Sequence, residues 1–256
     1  MAYGCEENVL EIINFLEKNG KKSIIEFGAQ QYRSSKSNLL TEDNKIHLNK
    51  NEDYVRNIFR NKLIKYDSID FDNFATIKLD LNYESIPYTK INCYDVVTNF
   101  GTSEHIINQL NIFRNIHYLC KKDGYIIMDL PIQGSFNHGF FHYNLQIFWH
   151  LSRSNNYSIE SIKFNEDGAM IGLPENHKEY IGFSNFVNKI RFSNLSAYVV
   201  LKKNTNFVFL PPLDVENHVF KKIRNITLLR EFLSHPIFSL QAIIRYIIQD
   251  KLKWCI

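Results

Sequence analysis

The sequence predicts an α/β fold built on a mostly parallel sheet, and three observations carry that reading. Short apolar runs rich in β-branched residues recur along the chain, at Ser23–Phe27, 93–100 and 121–131. Stretches of helical periodicity, of about 10 to 15 residues, alternate with them, as βαβ units require. Small or acidic residues close the runs, among them Gly28, Asp70, Asp80 and Gly101, where the chain must turn over the carboxyl edge of a sheet.

Taken in order, Val9, Leu10, Ile12, Ile13 and Leu16 recur at helical spacing, and Asn19-Gly20 stops that helix before the strand Ser23–Phe27. A polar stretch over 30–51 predicts a long loop, after which Tyr54, Val55, Ile58, Phe59 and Leu63 restore a helical face. Two brief strands are expected at 65–71 and 75–81, and a clearer one at 93–100. Gly101, Thr102 and Ser103 lead into a helix over 104–120, then a turn and strand over 121–131. A helix is expected at 145–154, and strands at 157–164 and 195–203 that pair as a hairpin-like edge. This alternation of strands and helices marks βαβ units around a parallel sheet, whose crossovers are right-handed almost without exception. With no repeat or linker in view, one domain is expected over 1–213, with a C-terminal helical extension over 214–256 packed on it or on a partner. Its last amphipathic helix, over 236–254, is read as a packing face in core or homo-oligomer rather than a membrane anchor.

Composition narrows the function classes. The chain of 256 residues is 45% hydrophobic and 22% charged, the balance of an ordered globular protein. Its net charge of +3 is too small to demand a polyanion, so no nucleic-acid partner is expected. Cys5, Cys93, Cys120 and Cys255 form no zinc-ligand spacing and read as reduced thiols. Four acids interrupt the first apolar positions, unlike a signal peptide, and no run of ~18 apolar residues occurs. A cytoplasmic location follows as the expectation.

Ligands of open α/β sheets sit outside the carboxyl ends of the strands, where loops and helix N-termini present free N–H groups. That rule selects Glu26 and Gly28 after the first strand, Asp70 after the second, Asp80 and Leu81 after the third, and Asn99 to Ser103 after the fourth. Glu104 and His105 are read as residues of a first helical turn, where an acid suits the dipole. The segment 133–144, QGSFNHGFFHYN, has the composition of a pocket wall: His138, His142 and Asn137 among Phe136, Phe140, Phe141 and Tyr143. His138 and His142 are four apart, but Gly134 and Gly139 oppose a regular helix and no acid stands beside them, so no metal site is expected. Because imidazole is the side-chain type suited to accept a proton near neutral pH, they are the candidate catalytic bases. A nicotinamide dehydrogenase is disfavoured because no GxGxxG follows the first strand.

The segments IIEFGAQ, SIDF, LDLN, YDVVTNFGTSEHI and NIFRNIHYLCKKDGYIIMDLP, in this order, resemble the class I S-adenosylmethionine (SAM) methyltransferases, in particular the methyltransferase type 11 branch. YDVV with Glu104-His105, and LCKKDGYIIM, carry the resemblance most clearly. It covers about residues 20–203 and implies a Rossmann-like, seven-stranded sheet with the last strand inserted antiparallel. It also implies SAM as cofactor. Glu26 and Gly28 then correspond to the acid and first glycine of the SAM loop, Asp70 to the ribose acid, Asp80 and the Leu81 backbone to the adenine contacts, and Asn99 to Gly101 to the turn facing the methionine amino group. The chain departs from the pattern at Gln30, where a second glycine is usual, and in its longer stretch from Gly28 to Asp70. The function implied is methyl transfer to a small-molecule or carbohydrate-like acceptor, through oxygen, with a non-catalytic scaffold or partner subunit of the same fold as the alternative.

Overall fold

The structure, a computed structural model, describes residues 3–29, 31–33, 59–135, 138–166, 169–172 and 194–247. Its strands are β1 (Tyr3–Cys5), β2 (Ser23–Phe27), β3 (Gln31–Arg33), β4 (Lys65–Asp70), β5 (Ile77–Lys78), β6 (Tyr94–Phe100), β7 (Cys120–Gln133), β8 (Tyr157–Glu166), β9 (Ala169–Gly172) and β10 (Leu195–Lys203). The α-helices are α1 (Glu6–Lys18), α2 (Gln109–Leu119), α3 (Gln146–Asn155), α4 (Asn217–Ser234) and α5 (Pro236–Tyr246). The expected helix over 54–63 lies largely outside the described residues, as do 34–58, Phe136, Asn137 and the end of the chain. Among the described residues no helix is long and apolar enough to cross a membrane.

The main sheet runs β5-β4-β2-β6-β7-β10-β8-β9. The first five strands are parallel to one another, while β10 lies antiparallel between β7 and β8, and β9 folds back on β8. This is the Rossmann-like α/β sheet with the antiparallel insertion that the resemblance implies, extended by β9 as an eighth edge strand. A separate parallel pair joins β1 to β3.

Alternation along the strands divides the apolar residues between two faces. Ile24, Val96, Ile127 and Val200 pack with Val9, Ile12, Ile13 and Leu16 of α1. Ile25, Val97, Ile126, Met128 and Val199 face the opposite cluster, with Ile112 and Ile116 of α2 and Phe148 and Leu151 of α3. Both faces being covered explains why the central strands read as continuous apolar runs.

Two local expectations are corrected. The helix over 104–120 begins at Gln109, because the Asn108 side chain accepts from the Asn111 N–H and caps it there, after a single 3-10 turn at Ser103–His105. The strand over 75–81 shrinks to Ile77–Lys78, since Asp80 opens a turn in which its carbonyl accepts from the Tyr83 and Glu84 N–H groups. The helix expected over 236–254 is present as α5, which follows α4 at His235 with Pro236 in its first turn; its expected end lies outside the described residues.

Buried polar groups fix the junction of β10 with its neighbours. Lys203, fully buried, donates to Asn92 Oδ1 (3.0 Å) and to the carbonyls of His117 (2.6 Å) and Cys120 (2.8 Å). His117 Nε2 lies 2.8 Å from the Phe207 carbonyl, which can only accept, so Nε2 carries the proton and Nδ1 accepts from the Tyr157 hydroxyl at 2.6 Å. Burial, aided by the Lys203 charge, holds this imidazole neutral, well below its ordinary pKa.

The candidate active site at the strand ends

Strand order reverses between β2 and β6: the chain proceeds outward through β4 and β5 on one side, and through β7 on the other. Such a reversal opens a crevice at the carboxyl ends, because the connections leave in opposite directions. Gly28 turns out of β2 with φ +89, a conformation that side chains disfavour, and Gly101 turns out of β6 with φ +64. Thr102 Oγ1 donates to the Phe27 carbonyl at 2.8 Å and ties the two strand ends together.

The structure places every sequence-selected strand-end residue along this one edge. Phe27 is in register with Ile69 and Asn99, and Phe100 with Asp129. Asp70 accepts from the Ala29 N–H at Oδ2 (2.9 Å) and from the Phe71 N–H at Oδ1 (2.7 Å), so its carboxylate holds the loop after β2 in place. Asp80 Oδ1 accepts from the Asn82 N–H at 2.9 Å. Leu81 is buried, and its carbonyl accepts from Asn111 Nδ2 at 2.9 Å. Asn99 is buried and exchanges two hydrogen bonds with Ser103, through Nδ2 to Oγ (2.8 Å) and from the Ser103 N–H to Oδ1 (3.2 Å).

Glu26 is enclosed within the sheet, where its carboxylate accepts from the Tyr66 hydroxyl at 2.5 Å. Burial pushes its pKa up to about 7 against the lowering effect of that hydroxyl. Its carboxyl therefore takes up a proton far more readily near neutral pH than an exposed glutamate does.

Sequence reasoning missed three features. Phe71, 70% exposed, follows Asp70 and offers a bare aromatic face at the edge, with Lys78 Nζ 5.7 Å from its ring centre. Tyr143, expected to line a pocket, is buried instead. Its hydroxyl donates to Gln109 Oε1 at 2.7 Å and lies 2.8 Å from Ser103 Oγ, anchoring the 138–144 loop to the turn after β6.

The third is a cluster formed where that loop lands. Glu104 is 1% exposed, and Nε2 of His138 and of His105 lie 3.6 and 4.0 Å from its Oε1. The two imidazoles meet edge to face at 4.8 Å between centres. Gly139 (φ +70) makes the approach possible, since a Cβ there would sit 2.8 Å from Glu104 Cγ, and the Phe140 N–H donates to the Glu104 carbonyl at 2.7 Å. Burial raises the Glu104 pKa, and the charge of Asp129 on β7 adds to it. Burial likewise raises Asp129 and lowers His105. The two expected catalytic histidines differ: His138 joins this cluster, half exposed, whereas His142 is exposed on the same loop.

No family model matches the chain, and no curated protein matches it. Among solved structures, it is similar to a Galdieria sulphuraria protein described as a sarcosine dimethylglycine methyltransferase (9% identity, 77% of this chain and 86% of that one, TM-score 0.48). It is also similar to the Burkholderia thailandensis 1,6-didemethyltoxoflavin-N1-methyltransferase with bound 1,6-didemethyltoxoflavin and S-adenosylhomocysteine (8%, 77% and 79%, 0.45).

Proposed function

We propose that the protein transfers a methyl group from SAM to a small-molecule or carbohydrate-like acceptor, through oxygen. The observation that carries this reading is the crevice at the strand-order reversal, edged by Gly28, Asp70, Asp80 and Gly101 at successive strand ends. Asp70 and Asp80 supply acceptors for the ribose hydroxyls and the adenine amine, with Leu81 at the adenine ring, and Phe71 adds a face on which a base can stack. Asn99 and Gly101 edge the methionine end, with Gly28 leaving room for close approach and Glu26 beneath it.

SAM is an activated donor, so the protein's share of catalysis is binding, orientation and removal of one proton. The carbon–sulfur bond breaks as the carbon–oxygen bond forms, the sulfur keeps the electron pair, and the acceptor proton passes to a base. His138 and His142, on the loop over the strand ends, are assigned that role.

Asp70→Ala and Asp80→Ala are each expected to weaken SAM by about tenfold to a hundredfold, since each removes charge-assisted hydrogen bonds of roughly 1.5–3 kcal/mol. Calorimetry with SAM and S-adenosylhomocysteine is the measurement. Affinity unchanged in both variants would remove the cofactor assignment, and binding of neither compound by the parent protein would favour a non-catalytic scaffold.

A further inference from the structure

We infer that Glu104, His105 and His138 form a binding site for one divalent transition-metal ion, with coordination positions left open toward the strand ends. Their three ligand atoms lie within 4.8 Å of one another. Two imidazoles and one carboxylate are the donor set of zinc, manganese, iron(II) or cobalt rather than of magnesium or calcium, which take mostly oxygen.

The geometry is close to that of a bound ion. Ligands held about 2.0–2.2 Å from a tetrahedral centre stand roughly 3.3–3.5 Å apart. The separations of 3.6 and 4.0 Å from Glu104 Oε1 require closure of a few tenths of an ångström, and the two imidazoles, with all three ligand atoms within 4.8 Å of one another, must approach each other by up to about an ångström. Rotation of the two part-exposed imidazoles supplies it, while the carboxylate stays fixed under Gly139.

An independent observation points to a missing partner. Glu104 Oε2 is buried without a hydrogen bond, and so is Asp129 Oδ1 on the neighbouring strand. A buried carboxylate oxygen left bare is costly. A cation at the cluster neutralises Glu104 and offsets the field of Asp129. Three protein ligands and an open side are also the pattern of catalytic rather than structural metal sites.

The role of the ion rests on the methyl-transfer reading, although its binding does not. A hydroxyl entering an open position would have its pKa lowered by the metal. His138 would then be a ligand, leaving His142 as the free imidazole of the loop to receive the proton.

The test is calorimetric titration of the chelator-treated full chain with zinc chloride and with manganese chloride near neutral pH, alongside cobalt(II) absorption spectra. One ion per chain is expected, with visible cobalt bands of nitrogen ligation. Glu104→Gln, His105→Ala and His138→Ala should each weaken binding at least tenfold, and His142→Ala should not. Glu104→Gln preserves the shape on which Gly139 packs, and circular dichroism checks that each variant is folded.

Absence of binding, or binding insensitive to all three substitutions, overturns the site. So does loss of binding in His150→Ala or His218→Ala alone, whose imidazoles pair with Asp214 and Glu216 elsewhere on the surface. SAM titration of the same preparations separates the two proposals: a chain that takes SAM but no metal loses only the metal site, and one that takes metal but no SAM loses only the cofactor reading.

Discussion

Glu231→Ala is expected to destabilise the protein by about 3–5 kcal/mol, because it strands a buried guanidinium. Arg114 on α2 meets Glu231 on α4 in a two-pronged pair, Nε to Oε1 at 2.6 Å and Nη2 to Oε2 at 3.1 Å, with both side chains about 95% buried. Around it, Tyr118 of α2 packs on Phe238 of α5 at 5.4 Å. The rest of α4 and α5 is largely exposed, including Leu229, Leu233 and Ile237, so few other contacts can replace the pair. The loss should appear in the urea midpoint and in faster hydrogen exchange of 217–246. Replacing both partners, as Arg114→Met with Glu231→Leu, should restore most of the stability, since an apolar pair carries no desolvation debt. A single-variant loss below ~1 kcal/mol would show that water already reaches the pair.

The second expected result concerns pH. Glu26 has a folded-state pKa of about 7 against an ordinary value of 4.5. Between these values the folded chain holds a proton that the unfolded chain gives up, so stability falls as pH rises through that window, by roughly 3 kcal/mol in full. Glu26→Gln removes the titration while leaving an oxygen to accept from Tyr66. The variant should match the parent at pH 4 and exceed it by about that amount at pH 8, by urea denaturation. His117, held neutral in the core, acts in the opposite sense, losing stability as pH drops below its ordinary value. It is present in both proteins and cancels in their difference. Parallel pH profiles would mean that Glu26 is solvated.

Legibility in the sequence followed the physics of each element. Ser23–Phe27 and Tyr94–Phe100 were readable because a strand covered on both faces is apolar throughout. The boundary at Gln109 was not, since Asn108 acts through one side-chain hydrogen bond that periodicity does not register. The place of β10 between β7 and β8 has no local signature, and only the resemblance supplied it. The strand-end set was legible because topology alone brings Gly28, Asp70, Asp80 and Gly101 to one edge. Glu104, His105 and His138 were not, because the loop returns to the turn after β6 through Gly139 and Tyr143, contacts between residues distant in sequence. Read locally, Glu104 and His105 looked like a helix start, a role that the Asn108 cap assigns to later residues.

The insertion of β10 has a consequence for biosynthesis. On the ribosome β7 emerges well before the strand that covers its free edge, and β8, paired only with β9, is not joined to the rest of the main sheet until Leu195–Lys203 arrives. For that interval Ile126, Ile127, Met128 and Leu130 belong to an open edge, the surface through which nascent chains pair with one another. Only when Lys203, the last residue of β10, reaches the carbonyls of His117 and Cys120 is the edge closed. Chains released before that residue should therefore be substrates for chaperones and proteases, whereas chains released after it carry a completed sheet.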